Sequence, residues 1–286
     1  MSSWFAAAKI NLALHVTGRR ADGYHLLDSA VMFAAGAGDR LTIEPAAETG
    51  LTITGPFGEG LETDSGNLVL RAVAALAAEC PGRVKPCRLT LEKNLPVASG
   101  IGGGSADAAA ALKAVIGFND LDIAEDRLAQ LALSLGADVP VCLASTACRM
   151  QGIGEDIEAW ADAPPFHAVL VNPGVAVSTA AIFKALALTP GQSAGAGMGE
   201  MPSAGECLEW LGRCRNDLEP PARELQPVIG HVLDALAASD GCRLARMSGS
   251  GATCFGLYED AASAAAAAVS LKAANAGWWV APTRLL

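Results

Sequence analysis

The stretch Pro96-Val97-Ala98-Ser99-Gly100-Ile101-Gly102-Gly103-Gly104-Ser105-Ala106 constrains the fold most. Four glycines fall within the five positions Gly100 to Gly104, and an alanine-rich run continues to Ile116. Glycine has no Cβ, so the backbone can turn sharply and approach another group closely. The run that follows is made mostly of strong helix formers. A glycine loop that opens a helix leaves free N–H groups and the positive dipole end at one spot, which suits a phosphate. The same residues also fit a plain glycine-rich turn. Of two familiar phosphate loops, one fails and the other fits only in its first half, Gly100-x-Gly102. A P-loop needs a lysine directly after its last glycine, and here none follows before Lys113. The dinucleotide fingerprint needs a third glycine where Ser105 stands.

The remaining sequence narrows the class of protein. At 286 residues, 51% of them hydrophobic, the chain can bury a sizeable core, and a second unit beginning near Ile157 divides it into 1–156 and 157–286. A net charge of −10 argues against general nucleic-acid or anionic-membrane binding, so a phosphate-rich ligand must be held locally. None of the eight cysteines forms a Cys-x-x-Cys pair, and the four histidines do not cluster with them, which argues against zinc. No secretory signal and no apolar run of about 20 residues is visible. A reduced, cytoplasmic protein is expected.

Along the chain, Lys9, Asn11, Ala13 and His15 alternate with Ile10, Leu12, Leu14 and Val16, the period of a strand with one polar face. Asp22-Gly23 marks a turn, followed by Tyr24 and His25, which can stack on a flat ring and hydrogen-bond its edge or simply tuck into the core. Strands are expected at 40–44, 51–54, 88–92, 168–171, 243–247, 254–258 and 278–281. Helices are expected at 68–79, 123–135, 178–184 and 260–274. Asp138 follows a helix end at Gly136, as a turn aspartate or a catalytic one. The Gly/Pro/Ser-rich stretch from Thr189 to Gly205 reads as a mobile surface loop.

Taken together, Lys9-x-Asn11, the Pro96–Ala109 loop and Ser248-Gly249-Ser250-Gly251-Ala252-Thr253 resemble the three motifs of the GHMP kinase superfamily. Gly18-Arg19-Arg20-Ala21-Asp22-Gly23-Tyr24-His25, Gly136-Ala137-Asp138-Val139-Pro140 and Ile182-Phe183-Lys184 narrow the resemblance to kinases of a cytidine diphosphate ester of methylerythritol, on the non-mevalonate route to isoprenoid precursors. The resemblance implies an α+β fold with a ribosomal protein S5-like ATP-binding domain, 1–156, a ferredoxin-like C-terminal domain, 157–286, and an active site in the cleft between them. It implies Lys9 and Asp138 as the catalytic pair and ATP as phosphoryl donor. Pro96 to Ala106 would hold the ATP phosphates, Ser105 would lie near the β-phosphate or Mg2+, and Asn67 and Lys93 near the adenine. Tyr24 and Phe183 would sandwich the cytosine, with His25 at its edge, and Asn11 and Thr179 would line the acceptor. No metal is fixed by the protein alone. The implied partner is this small molecule, without nucleic acid or membrane, for a monomer or homodimer.

The anionic acceptor calls for basic lining, with Arg19 and Arg20 as candidates. The chain departs from the family pattern at Ala98-Ser99, where more glycine is usual, and at Ala106, where a second small serine often stands. Those changes bear on individual phosphate contacts. The rival readings are a homoserine- or mevalonate-type GHMP kinase, a dinucleotide-binding oxidoreductase and a non-catalytic nucleotide-binding module. The Gly18–His25 run speaks against the first, the incomplete fingerprint against the second, and Lys9 with Asp138 against the third.

Overall fold

The computed structural model describes residues 2–286. In chain order the elements are β1 (Ser2–Arg19), β2 (His25–Pro45), β3 (Gly50–Thr54), α1 (Leu68–Glu79), β4 (Cys87–Glu92), α2 (Gly103–Asn119), α3 (Glu125–Leu135), α4 (Val139–Ala144), β5 (Cys148–Gly152), β6 (Asp156–Ala159), β7 (Phe166–Asn172), α5 (Thr179–Ala185), α6 (Cys207–Arg213), α7 (Glu219–Leu225), α8 (Val228–Ala237), β8 (Cys242–Met247), β9 (Cys254–Tyr258), α9 (Ala261–Ala274) and β10 (Trp279–Leu285). They divide into two units, each assembled from separate pieces of chain. The first takes the described residues up to Ala8, Gly38–Val97 and Gly102–Ser145; the second takes Lys9–Ala37, Ala98–Ile101 and Thr146–Leu286.

In the first unit, the second half of β2 runs antiparallel to β4, from Arg40↔Glu92 to Pro45↔Cys87. Strand β3 adds in parallel on the other side of β4. Along β4, Cys87, Leu89 and Leu91 are buried while Arg88 and Glu92 are exposed, the period of a sheet with one covered face. Helix α1 begins where Asn67 accepts a hydrogen bond from the Val69 N–H at 2.9 Å, an N-cap that satisfies one of the helix's orphan donors. Its buried Val69, Ala72, Val73 and Leu76 follow the helical period and pack on α2. Helix α2 is different. Ala106 and Ala108 to Ala111 are all buried, so the helix is covered nearly all round. Alanine makes this possible, because small side chains let α1 and α4 come close.

In the second unit, β8, β9, β7 and β10 form an antiparallel run, with Met247↔Cys254, Val171↔Cys254 and Val280↔Val171 in register. The first half of β2 pairs with β5, and β5 turns back into β6. Leu14, Val169, Val171, Ile229, Val232, Leu236 and Leu271 belong to one hydrophobic core.

Two local expectations change. The polar face of β1 is not solvated: Lys9, Asn11 and His15 are all buried, with Asn11 hydrogen-bonded as described below and His15 Nε2 accepting from the Arg215 N–H at 3.1 Å. The 189–205 stretch is not loose either. Arg19 N–H donates to the Gln192 carbonyl (2.8 Å), Gly191 N–H to the Arg19 carbonyl (2.7 Å), and Ala194 N–H to the Thr17 carbonyl (2.9 Å), so its first part adds to the edge of β1. Farther along, the Met198 N–H donates to Asp28 at 2.7 Å. Asp28 also takes both arms of Arg149 at 2.8 Å. Burial opposes ionisation there, but the Arg149 fork and the Met198 amide hold the Asp28 carboxyl below its ordinary range.

Candidate active site

In the second unit, β1 delivers Lys9 and Asn11 to the meeting point of two glycine-containing loops. The Lys9 N–H donates to the Ile101 carbonyl at 2.9 Å. The Asn11 N–H donates to Ser248 Oγ at 3.1 Å, and its side-chain amide to Ser29 Oγ at 2.8 Å. Ser248 Oγ in turn donates to the Gly100 carbonyl at 3.2 Å, and Thr253 N–H to the Ser99 carbonyl at 3.1 Å. The contact demands glycine. Gly100 has φ +76°, and a Cβ there would stand 2.7 Å from backbone atoms of Gly251 and Ser248. A Cβ on Gly249 (φ +54°) would stand 2.6 Å from the Gly100 carbonyl. Asn216 holds the second loop from behind through the Met247 and Gly249 carbonyls, at 2.7 and 2.9 Å. Thr179, at the start of α5, shares a 2.7 Å hydrogen bond with Ser250.

In the first unit, Gly102 (φ +65°) caps α2 without a side-chain hydrogen bond, and the first helical bond runs from the Ala106 N–H to the Gly102 carbonyl at 2.8 Å. The amides of Gly103, Gly104 and Ser105 therefore open at the helix start, the arrangement that binds anions. Beneath this turn the Lys93 ammonium pairs with Asp39 and, at 2.7 Å, with Asp107. All three are buried, and Asp39 also accepts from the Asn94 and Leu95 N–H groups at 2.6 and 2.8 Å. Burial, against the pull of Lys93, pushes the Asp107 carboxyl up to about 7. Lys93 moves upward as well: burial works against its charge, and the two carboxylates outweigh it. Lys93 therefore spends its charge under the loop, and Asn67 spends its side chain on the α1 cap and the Glu62 carbonyl (2.7 Å). Asp138 is half-buried just before α4, with its carbonyl accepting from the Cys142 N–H at 3.2 Å. Pro96 and Ser99 are buried, whereas Val97 and Ala98 lie on the surface, Ala98 with φ +50°. Asp39 and Asn216 carry no local signal in sequence. Asp107 does, as a lone charge among buried alanines.

A third cluster lies in the second unit at the 20–25 turn. The His25 ring stacks on Phe183, centroids 4.7 Å apart and planes 28° from parallel. Tyr24 is 61% exposed beside it. His25 Nε2 is buried without a hydrogen-bond partner. Such an atom leaves a costly unmet hydrogen bond that a ligand can satisfy. Burial, and then the nearby Arg19 charge, lower the His25 pKa, which favours the neutral ring. Arg20 turns away from this cluster to an exposed ion pair with Asp22 at 2.7 Å.

Comparison with known proteins bears on these arrangements. Residues 67–146 match the GHMP kinases N terminal domain and residues 184–276 the GHMP kinases C terminal domain. This chain belongs to the GHMP kinase family. A 4-diphosphocytidyl-2-C-methyl-D-erythritol kinase of Cereibacter sphaeroides is 51% identical over 286 residues, covering 100% of this chain and 99% of that protein. One of Methylobacterium radiotolerans is 52% identical over 285 residues, covering 98% and 97%. Among solved structures, a 4-(cytidine 5'-diphospho)-2C-methyl-D-erythritol kinase superposes with TM-score 0.79 at 35% identity over 99% of both chains. A Cytophaga hutchinsonii homoserine kinase shares the fold, with TM-score 0.71 at 19% identity over 99% of this chain and 96% of that one. The two-domain GHMP kinase fold expected from the motifs is thus present, and this family member is a small-molecule kinase that uses ATP. Among the described residues no helix is long and apolar enough to cross a membrane.

Proposed function

We propose that this GHMP kinase transfers the γ-phosphoryl group of ATP to the 2-hydroxyl of 4-diphosphocytidyl-2-C-methyl-D-erythritol, giving the 2-phosphate and ADP on the non-mevalonate isoprenoid route. The observation that carries the acceptor assignment is the His25–Phe183 stack with its buried, unpartnered Nε2. A flat pyrimidine slides against such a stack beside Tyr24, and its polar edge meets the nitrogen that otherwise lacks a bond. The near full-length identity to kinases of that name supports the same acceptor.

The roles follow from charge and position. Phosphoryl transfer needs alignment and charge stabilisation more than covalent chemistry. The acceptor oxygen forms the new bond to the γ-phosphorus as the bond to the β-phosphate oxygen breaks. Asp138 takes the hydroxyl proton, and Lys9 stabilises the developing negative charge. The stretch Pro96 to Ala106 holds the phosphates by backbone N–H groups. Asn11 and Thr179 line the acceptor. Asn67 and Lys93, whose side chains are spent on the α1 cap and the buried triad, act by holding the ATP site in shape, Lys93 from beneath the glycine loop.

The phosphoryl donor would carry Mg2+, a hard cation held well by phosphate oxygens. Ser105 would complete its shell, and Mg2+ there would supply charge neutralisation to the transferring group. The test is ADP release in the presence of Mg·ATP and the named acceptor. Turnover with this acceptor, and none with homoserine or mevalonate, is the expected result. A folded protein that releases no ADP with the cytidyl acceptor would sink the assignment.

A further inference from the structure

We infer that Arg19 is a positioning residue for acceptor specificity: one guanidinium ties the Tyr24–His25 turn to the end of the helix that carries Phe183, and so sets the width of the slot that takes the base. The inference rests on the proposed acceptor. Arg19 Nε donates to the Gly23 carbonyl at 3.0 Å, immediately before Tyr24. Its Nη1 donates to the Leu188 carbonyl at 2.7 Å, three residues past α5. The Arg19 backbone is fixed as well, paired with Gln192 and Gly191. Two aromatic groups on separate pieces of chain are thereby referred to one rigid planar fork.

The surroundings are shaped for this bridge. Gly23 has φ +97°, a backbone conformation that side-chain-bearing residues rarely adopt. A Cβ on Gly18 would stand 2.9 Å from the Gln192 carbonyl, so the crossing of the two segments requires glycine. The turn itself is closed by the Arg20 N–H to the Tyr24 carbonyl (2.7 Å) and the Gly23 N–H to the Arg20 carbonyl (3.0 Å). Two of its guanidinium N–H groups are spent on these carbonyls, and through them Arg19 serves the slot. Lysine cannot replace it, because an ammonium is a single point and cannot span both carbonyls in the fixed fork geometry.

The test is steady-state kinetics of Arg19→Met, Arg19→Lys and wild type, with melting curves to confirm folding. R19M should raise acceptor KM by roughly ten- to hundredfold, the scale for losing charge-assisted hydrogen bonds, with kcat and ATP KM nearly unchanged. R19K should recover only part of that loss. In a Phe183→Ala background the same Arg19 substitution should have a much smaller effect, because one wall of the slot is already gone. A wild-type acceptor KM in R19M or R19K, or additive effects with F183A, overturns the inference while the proposed function stands. Absence of turnover in wild type overturns the proposed function and this inference with it. If R19M does not fold, R19K is read alone: it should raise acceptor KM selectively, and an unchanged KM there overturns the clamp.

Discussion

Replacing Gly100 with alanine tests the contact between the two glycine-containing loops. The new methyl would stand 2.7 Å from Gly251 N, Gly251 O and Ser248 O, all backbone atoms that cannot swing aside. To reach ordinary contact at 3.4 Å the loops must part by roughly 0.7 Å. That separation breaks the hydrogen bonds from Ser248 Oγ to the Gly100 carbonyl (3.2 Å) and from Thr253 N–H to the Ser99 carbonyl (3.1 Å). Each is worth about 1 kcal/mol, and holding alanine at positive φ costs about 1 kcal/mol more. The total of about 3 kcal/mol corresponds to a fall in Tm of roughly 6–12 °C for a chain of this size. Scanning calorimetry reads it directly. Gly104→Ala is the internal comparison: its Cβ would meet only Leu68 Cδ1, at 3.7 Å, and alanine gains up to about 1 kcal/mol over glycine within a helix. A Gly100→Ala protein that melts like wild type, or a Gly104→Ala protein that falls as far, would refute the steric argument.

Two further outcomes follow from the buried charges and the proposed base. Asp107 is pushed up to about 7, above its unfolded value, so folding takes up a proton between about pH 4 and 7. Its contribution is fully present below the unfolded pKa and is lost as pH rises through about 7; the difference in urea midpoints between wild type and Asp107→Asn should therefore slope across that window, and a flat difference would contradict it. Asp138→Ala should lose at least roughly a hundredfold in kcat while ATP affinity, measured by calorimetry, stays near wild type; full activity would remove Asp138 from the proton transfer.

Local patterns in the chain determined much of the architecture. The glycine run followed by alanines read as a loop opening a helix, and α2 begins at Gly103. Helical spacing over 68–79 marked α1, and alternation along 88–92 marked β4. The joint order of the motifs also pointed to the GHMP kinases. These features depend on residues within a few positions of one another, and short-range sterics and hydrogen bonding decide them.

Tertiary structure decided the rest, because the partners are far apart in sequence. Period two in β1 says which side chains share a face. It cannot say that Asn11 meets Ser248, 237 positions away, and so lies buried rather than solvated. Nothing local to Lys93 reveals that its charge is neutralised by Asp39, 54 positions upstream. The 189–205 stretch has the composition of a free loop, yet backbone pairing to β1 and the Asp28 carboxylate hold its parts in place. Gly100 illustrates both levels. Its need for a left-handed turn is readable from the loop, whereas the neighbour that forbids a Cβ lies at Gly251 and appears only when the chain has folded.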